Sequence, residues 1–512
     1  MSLRALTDGS AYPTIQTHFV GALSLSTNQI VSVLVTVLAD AVPSHRMEAV
    51  LALICTGAIL AAVILTVGLL APDCGVLVLA GAPLAAPTML YFGSFNLVLA
   101  YAPGFAATAL SLRYLAGVGS QKMLLAIAGL ELLCFWLHVQ AAVVLAASIG
   151  AMTALSGLHD LRKGGIQGAR RGRAVALAAA TGPMLLAVAW YQIAWGGLIN
   201  DTLAPWSGRE KLEQLLLRRE VVQFHLTATV MLALLGLATY ALVGARLLRS
   251  RVTRATTSDL ALAAAAGAGT LAMALPNGIG GAFQIEARLL PMAQFALFVW
   301  LLTAPLSRGV TRVLGVAALL AAFTLGGTRI AGHLALQTAL AEQIAAEAQV
   351  EDGAAFLSLN LPAFCYQGSG PLARPLGLEL GFDPLLHLGR GIGTRDVANL
   401  SNYQALSDKP YFPLKHRGGL ADVIGYRDLN LPWVLHDSGR WLSDLLNSYA
   451  AWRGRPLDYV LIWRDGINSD ASPCGTERHI AHALAQLRET HAPVWRSAPN
   501  AYAELWYRKP AR

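Results

Sequence analysis

Long apolar runs alternate with short polar connectors until about residue 331, where the pattern changes. About 20 apolar residues suffice for a helix to cross a bilayer. The first such run covers residues 47–71, and others follow at 75–92, 95–113, 174–195, 220–246, 257–276, 280–305 and 310–331. The run 122–158 is too long for one crossing at about 1.5 Å per residue. It reads as two short helices hinged near His138. Upstream, Ile30–Val42 is apolar but short, and Ser24, Ser26, Thr27, Asn28 and Gln29 precede it. A run of that length belongs at an interface or inside a bundle.

Beyond His333 the apolar content falls. A helical stretch, Leu334–Ala346, leads into a polar region with strand-like runs at Ala355–Leu359, Tyr459–Trp463, Val494–Ser497 and Ala503–Tyr507. A helix, Glu477–Glu489, lies between the second and third. Such alternation predicts a small α/β or α+β domain. The fold class expected is therefore a polytopic α-helical membrane protein with a small C-terminal α/β extracytoplasmic domain. Residues 1–46 are expected as an external loop with interfacial helices, 47–331 as the transmembrane helical domain, 332–349 as a connecting helix and 350–512 as the extracytoplasmic domain.

Charge orients this scheme. The stretch Arg162–Arg173, RKGGIQGARRGR, holds five cations and no acid. Short loops this basic stay in the cytoplasm. Arg246, Arg249, Arg251 and Arg254 fill the linker 246–256, and Arg308 and Arg312 the linker 306–312. Two spans separate the first basic loop from the second, and two more the second from the third, so all three fall on one side. The loop 196–219, the turn 276–281, the patch Tyr91–Asn96 and everything after about 331 then lie outside. Residues 1–46 also count as outside, so either Ile30–Val42 crosses or a first span precedes this stretch, and the second is the expectation. No charged n-region with an apolar core and cleavage site, of the signal-peptide kind, opens the chain. Within loop 196–219, Gly208–Arg219 is expected as an amphipathic surface helix.

The chain is 55% hydrophobic and 13% charged, against about 25% charged in soluble domains. The net charge of +8 is no mark of nucleic-acid binding, because the cations sit beside spans, where they meet anionic lipid. Cys55, Cys74 and Cys134 lie in or beside apolar runs as inert thiols. Cys365 and Cys474 lie in the polar region, where a bridge and two free thiols are both open. No phosphate-binding loop, zinc motif or nucleophile elbow is present.

Ionisable groups inside spans are costly and so carry information. Glu131 and His138 lie seven residues apart, nearly on one helical face. They read as a polar wall of a substrate cavity, against the plainer reading of a buried satisfied pair. Gln284 and Arg288 lie one turn apart near an outer span end. An arginine there suits a lipid phosphate; Glu286 and Glu131 are its alternative partners. Gln223 and His225 open the span after the external loop. Asp8 opens Asp8-Gly9-Ser10-Ala11-Tyr12, which on its own is a turn signal.

In order, these features resemble the GT-C superfamily of integral-membrane glycosyltransferases, and most closely bacterial members with a periplasmic C-terminal domain. Asp8–Tyr12 looks like the start of their catalytic first loop, with Tyr12 where relatives often carry His. Leu90–Asn96 looks like their aromatic-Gly-aromatic-Asn element, Trp136-Leu137-His138 like an aromatic-x-His element in a broken helix, and Arg288–Pro291 like an Arg-x-x-Pro element. Asn402–Ala405 with Phe412-Pro413 looks like a segment of the external domain. The resemblance implies transfer of a sugar from a polyprenyl-phosphate carrier to a glycan or lipid-linked acceptor outside a bacterial inner membrane. Asp8 would be the general base, Arg288 the phosphate clamp, and His138, Glu131, Gln284, Glu286, Tyr91, Asn96 and His225 substrate-binding groups. No cofactor and no obligatory metal are expected, and the partners are the donor, the acceptor and membrane lipid. A transporter or flippase would instead show internal repeats, and a non-catalytic envelope-assembly protein is a third reading.

Overall fold

The computed structural model describes residues 12–21, 27–38, 41–42, 44–91, 94–162, 168–195, 208, 211–212, 215, 226–249, 256–276, 278–279, 282–283, 285–360, 395–401, 414–420, 441–463, 477–498 and 503–510. It divides into two units. One comprises Ser26–Val31 and Glu48–Arg329; the other comprises Met1–Leu25, Ser32–Met47 and Ile330–Arg512.

The first unit is helical. Among the described residues, five helices are long and apolar enough to cross a membrane: Arg46–Leu70, Phe95–Leu115, Val139–Leu158, Arg171–Ala194 and Arg308–Ala331. Side chains fix the helix ends. Ser120 Oγ accepts from the Met123 amide at 3.4 Å and starts helix Gln121–Leu137. Thr256 and Asp259 form a reciprocal capping box before helix Thr257–Ala274, satisfying amides that have no partner within the helix. Arg113 donates to the Leu69 carbonyl at 2.8 Å, a cation at the C-terminus of helix Ser44–Leu70. Packing is close where small residues permit it. A Cβ added at Gly267 would meet the Ala147 carbonyl oxygen at 2.6 Å, so the backbones of helices Val139–Arg162 and Thr257–Ala274 approach closely there.

Contacts at both ends fix the direction of neighbouring helices. Cys55 approaches the Phe95 carbonyl and Leu69 meets Arg113, so helices Ser44–Leu70 and Phe95–Leu115 run in the same direction. Gly117 lies beside Arg173, which places the turn after Leu115 with the basic start of helix Gly168–Trp195. The expected hinge is also present, with helices Gln121–Leu137 and Val139–Arg162 meeting at His138.

Three expectations differ from the structure. The run 75–92 is not one helix but short 3-10 and α pieces, Pro72–Leu77, Val78–Gly81, Ala82–Ala85 and Thr88–Tyr91. Pro72, Pro83 and Pro87 remove amide donors along it, and Gly81 packs against Val63 and Phe298 where a side chain would not fit. The span expected at 280–305 begins only at Ile285, after a hairpin of β2 (Gly278–Ile279) and β3 (Ala282–Phe283). The last span and the connecting helix are a single helix, Arg308–Glu347, because no Pro interrupts it and its five glycines, spread over forty residues, cost too little to stop it.

The second unit is built on a five-stranded sheet of β4 (Ala355–Asn360), β5 (Ala398–Asn399), β7 (Tyr459–Trp463), β8 (His491–Arg496) and β9 (Ala503–Arg508), in the order β5-β4-β7-β9-β8. β4 runs parallel to β5 and β7, whereas β9 is antiparallel to β7 and β8. One face carries Leu357, Leu359, Val460, Ile462 and Trp506 against helices Trp441–Arg453 and Glu477–Thr490; the other carries Phe356, Tyr459, Leu461 and Leu505. All four strands expected from the sequence are present, with the third starting earlier, at His491. Helix Trp441–Arg453 and the short strands β5 and β6 (Leu414–His416) were not expected.

An N-terminal segment completes this unit. Helix Pro13–His18 leads into β1 (Phe19–Gly21), which pairs antiparallel with β6. Ile15 and Phe19 are buried in the sheet core. Asp396 caps the helix, its Oδ1 accepting from the Thr14 amide at 2.8 Å and the Ile15 amide at 3.1 Å.

Candidate functional site

The helical unit gathers polar groups around the break at His138. In a continuous helix the Gln140 amide would donate to the Trp136 carbonyl. Here His138 is extended, with φ −163° and ψ 117°. The Gln140 amide donates instead to His138 Nδ1 at 3.3 Å, which places the proton of the neutral ring on Nε2. The freed Trp136 carbonyl accepts from the Asn28 amide at 3.2 Å. Asn28 has φ 69°, a left-handed conformation that asparagine tolerates better than most residues.

Asn96 holds this turn from the first turn of helix Phe95–Leu115. Its Nδ2 donates to the Asn28 carbonyl at 2.7 Å, and its Oδ1 accepts from the Val31 amide at 3.0 Å. The second bond satisfies an amide at the start of helix Ile30–Leu38.

Arg288 lies in the first turn of helix Ile285–Thr303, three residues before Pro291. Its carbonyl accepts from the Tyr101 hydroxyl at 2.8 Å, and its half-buried guanidinium is within electrostatic reach of His138 and Tyr101. His138 and Arg288 are thus brought together, with Asn96 bracing the segment that closes on the broken helix. Glu131 is placed elsewhere: it is fully buried, and its Oε1 lies 3.0 Å from the Thr181 hydroxyl. Asp8, Gln284 and His225 lie outside the described residues, as do Cys365, Cys474, Asn402–Ala405 and Phe412-Pro413. Of Tyr91 and Glu286 only the backbone is described.

The described residues of the expected surface helix, Gly208, Lys211, Leu212 and Leu215, are helical, but Lys211 is fully buried. Its Nζ donates to the carbonyls of Ala272, Met273 and Leu275 at the end of helix Thr257–Ala274. A cation at a helix C-terminus meets both unsatisfied carbonyls and the dipole.

The sheet unit has its own buried polar cluster. His18 Nδ1 lies 2.8 Å from the Thr14 carbonyl, which only accepts, so Nδ1 carries the proton and the Tyr449 hydroxyl donates to Nε2 at 2.8 Å. His416 stacks on Phe19 at 4.9 Å. Burial lowers the pKa of His18 below its usual value and pulls His416 down to about 4. Burial also raises the Tyr449 hydroxyl. Tyr101, Asn28 and the His18–Tyr449 pair were not singled out from the sequence; each sits in an apolar or short segment, where periodicity gives no pairing.

The described residues define a class: an apolar helical bundle with membrane-length helices, continuing into a mixed-sheet unit that incorporates an N-terminal segment. No protein-family model and no curated protein matches the chain.

Proposed function

We propose that the chain is a multi-pass membrane glycosyltransferase of the GT-C kind, with its sheet domain outside the cytoplasm, moving a sugar from a polyprenyl-phosphate carrier to an envelope acceptor. The observation that carries this reading is the broken helix at His138 with Arg288 within electrostatic reach. An irregular helix inside a bundle persists where its freed backbone groups find partners, and a half-buried arginine beside it is suited to binding an anionic ligand. A carrier phosphate supplies one, bound through paired donors.

The chemistry follows. Asp8 removes the acceptor hydroxyl proton as that oxygen bonds to the anomeric carbon. The bond from the anomeric carbon to phosphate oxygen breaks, and polyprenyl phosphate leaves with the electron pair. Arg288 stabilises its charge, while His138 donates from Nε2 to donor oxygens. Transfer from lipid-linked donor should fall at least about a hundredfold in Asp8→Asn and in Arg288→Gln, with membrane insertion unchanged. Normal transfer by either variant would remove that residue from the mechanism, and an unaltered envelope glycan profile on deletion would end the reading.

A further inference from the structure

The Glu131 carboxyl is buried where helix Gln121–Leu137 faces helix Gly168–Trp195, and only one of its oxygens is satisfied. Oε1 lies 3.0 Å from Thr181 Oγ, and Oε2 has no hydrogen-bond partner among the described residues. Thr181 Oγ also lies 3.2 Å from the Leu177 carbonyl, four residues back. A hydroxyl has one proton to give. If Glu131 were a carboxylate, two acceptors would compete for it.

Other threonines in these helices show where the proton goes. Thr66 donates to Ala62, Thr108 to Gly104 and Thr239 to Leu235, each to the carbonyl four residues back at 2.7–2.9 Å. If Thr181 does the same, its oxygen is left to accept, and the donor facing it is Glu131. The surroundings agree. Cys134 faces it from one turn along its own helix. Thr108, Ser111, Ser148 and Ser156 are neutral buried polar groups of the neighbouring helices. The cations of these helices, Arg113, Lys122, Arg162, Arg170, Arg171 and Arg173, lie in or near terminal turns, and none among the described residues acts on Glu131 electrostatically. An unpaired carboxylate in such a place is strongly disfavoured.

We propose that Glu131 is a proton-binding site in the interior of the bundle, a neutral carboxylic acid that donates its O–H to Thr181 Oγ while Thr181 donates to the Leu177 carbonyl. The site binds the two helices together without a buried charge. It does not depend on the sugar-transfer reading, because it uses neither Asp8 nor Arg288.

The test is infrared difference spectroscopy of the full chain in lipid nanodiscs. Subtracting Glu131→Gln from the parent should remove one protonated carboxylic-acid carbonyl band that shifts in heavy water. The unfolding midpoint should stay unchanged, since the amide N–H replaces the acid O–H toward Thr181. Thr181→Val should move the same band to higher frequency, because the acid loses its acceptor. Loss of a carboxylate band in place of an acid band would overturn the proposal, as would an acid band that Thr181→Val leaves in place.

Discussion

Two buried histidine environments set the units apart. In the helical unit His138 stands where the helix is broken, and its ring takes over an amide that the break released. In the sheet unit His18 and His491 sit inside regular packing and link distant segments, His18 to Tyr449 and His491 to the Leu457 carbonyl. Where the surroundings are almost wholly apolar, a polar side chain is kept for backbone groups that nothing else satisfies. Where strands and loops supply many partners, the same residue type ties sequence-distant pieces into one core. The first arrangement satisfies backbone groups released by a helix break, and the second makes a proton-sensitive clasp.

The largest expected effect exploits that clasp. His416 and His491 are both held down to about 4, and His18 is lowered, with burial the leading cause in each. Arg453 and Arg455 add repulsion at His18, which Asp458 opposes. These folded-state values lie below the unfolded value of about 6.5, so the unfolded chain binds the protons first. The stability they represent is whole above about pH 6.5 and is lost as pH falls toward 4. Hydrogen exchange of the full chain should therefore rise in β7 to β9 and in Pro13–Gly21 across this window. Equal protection at pH 7 and pH 4.5 would show that the three rings do not sense acid.

A middle-sized effect probes the helical unit, and it should not depend on pH. Gly267 faces the Ala147 carbonyl closely, whereas Gly269, two residues on in the same helix, has nothing within 4 Å of an added Cβ. Gly267→Ala should lower stability by about 1–3 kcal/mol through overpacking. Gly269→Ala should raise it by up to about 1 kcal/mol through helix propensity. Thermal unfolding in one detergent compares them directly; equal midpoints would mean the two helices separate at no cost.

The two units also differ in how far the sequence discloses them. His138 is conspicuous because an ionisable residue inside an apolar run needs a reason, and the expected hinge lies there. Tyr459–Trp463 is evident because five β-prone residues stand between turn-prone neighbours. Residues 72–91 mislead, since apolar content suggests a span while Pro72, Pro83 and Pro87 divide it into short pieces. Pairing of β1 with β6 is hidden, because three-residue strands nearly four hundred positions apart have no period to detect. Lys211 looks like a cation on the polar face of an amphipathic surface helix; only the position of the Ala274 helix end shows why it is buried. Of the expected site, Arg288 and His138 are brought together, while the role of Asp8 rests on the resemblance.

The smallest effect concerns how the N-terminal segment is held in the sheet unit. Asp396 accepts from the Thr14 and Ile15 amides at the start of helix Pro13–His18, where no residue of the helix's own first turn supplies a cap. Its neighbour Arg395 pairs with Asp352 at 2.8 Å on the surface, a bond worth little by itself. Removing the cap by Asp396→Ala should cost about 1 kcal/mol, whereas Asp352→Ala should cost almost nothing. Because Thr14 and Ile15 lie only a few residues after Asp8, loss of this cap should reduce sugar transfer more than it reduces stability if Asp8 is the base. A variant whose activity falls only in step with its unfolding midpoint would separate the segment from the chemistry and leave it a structural strap.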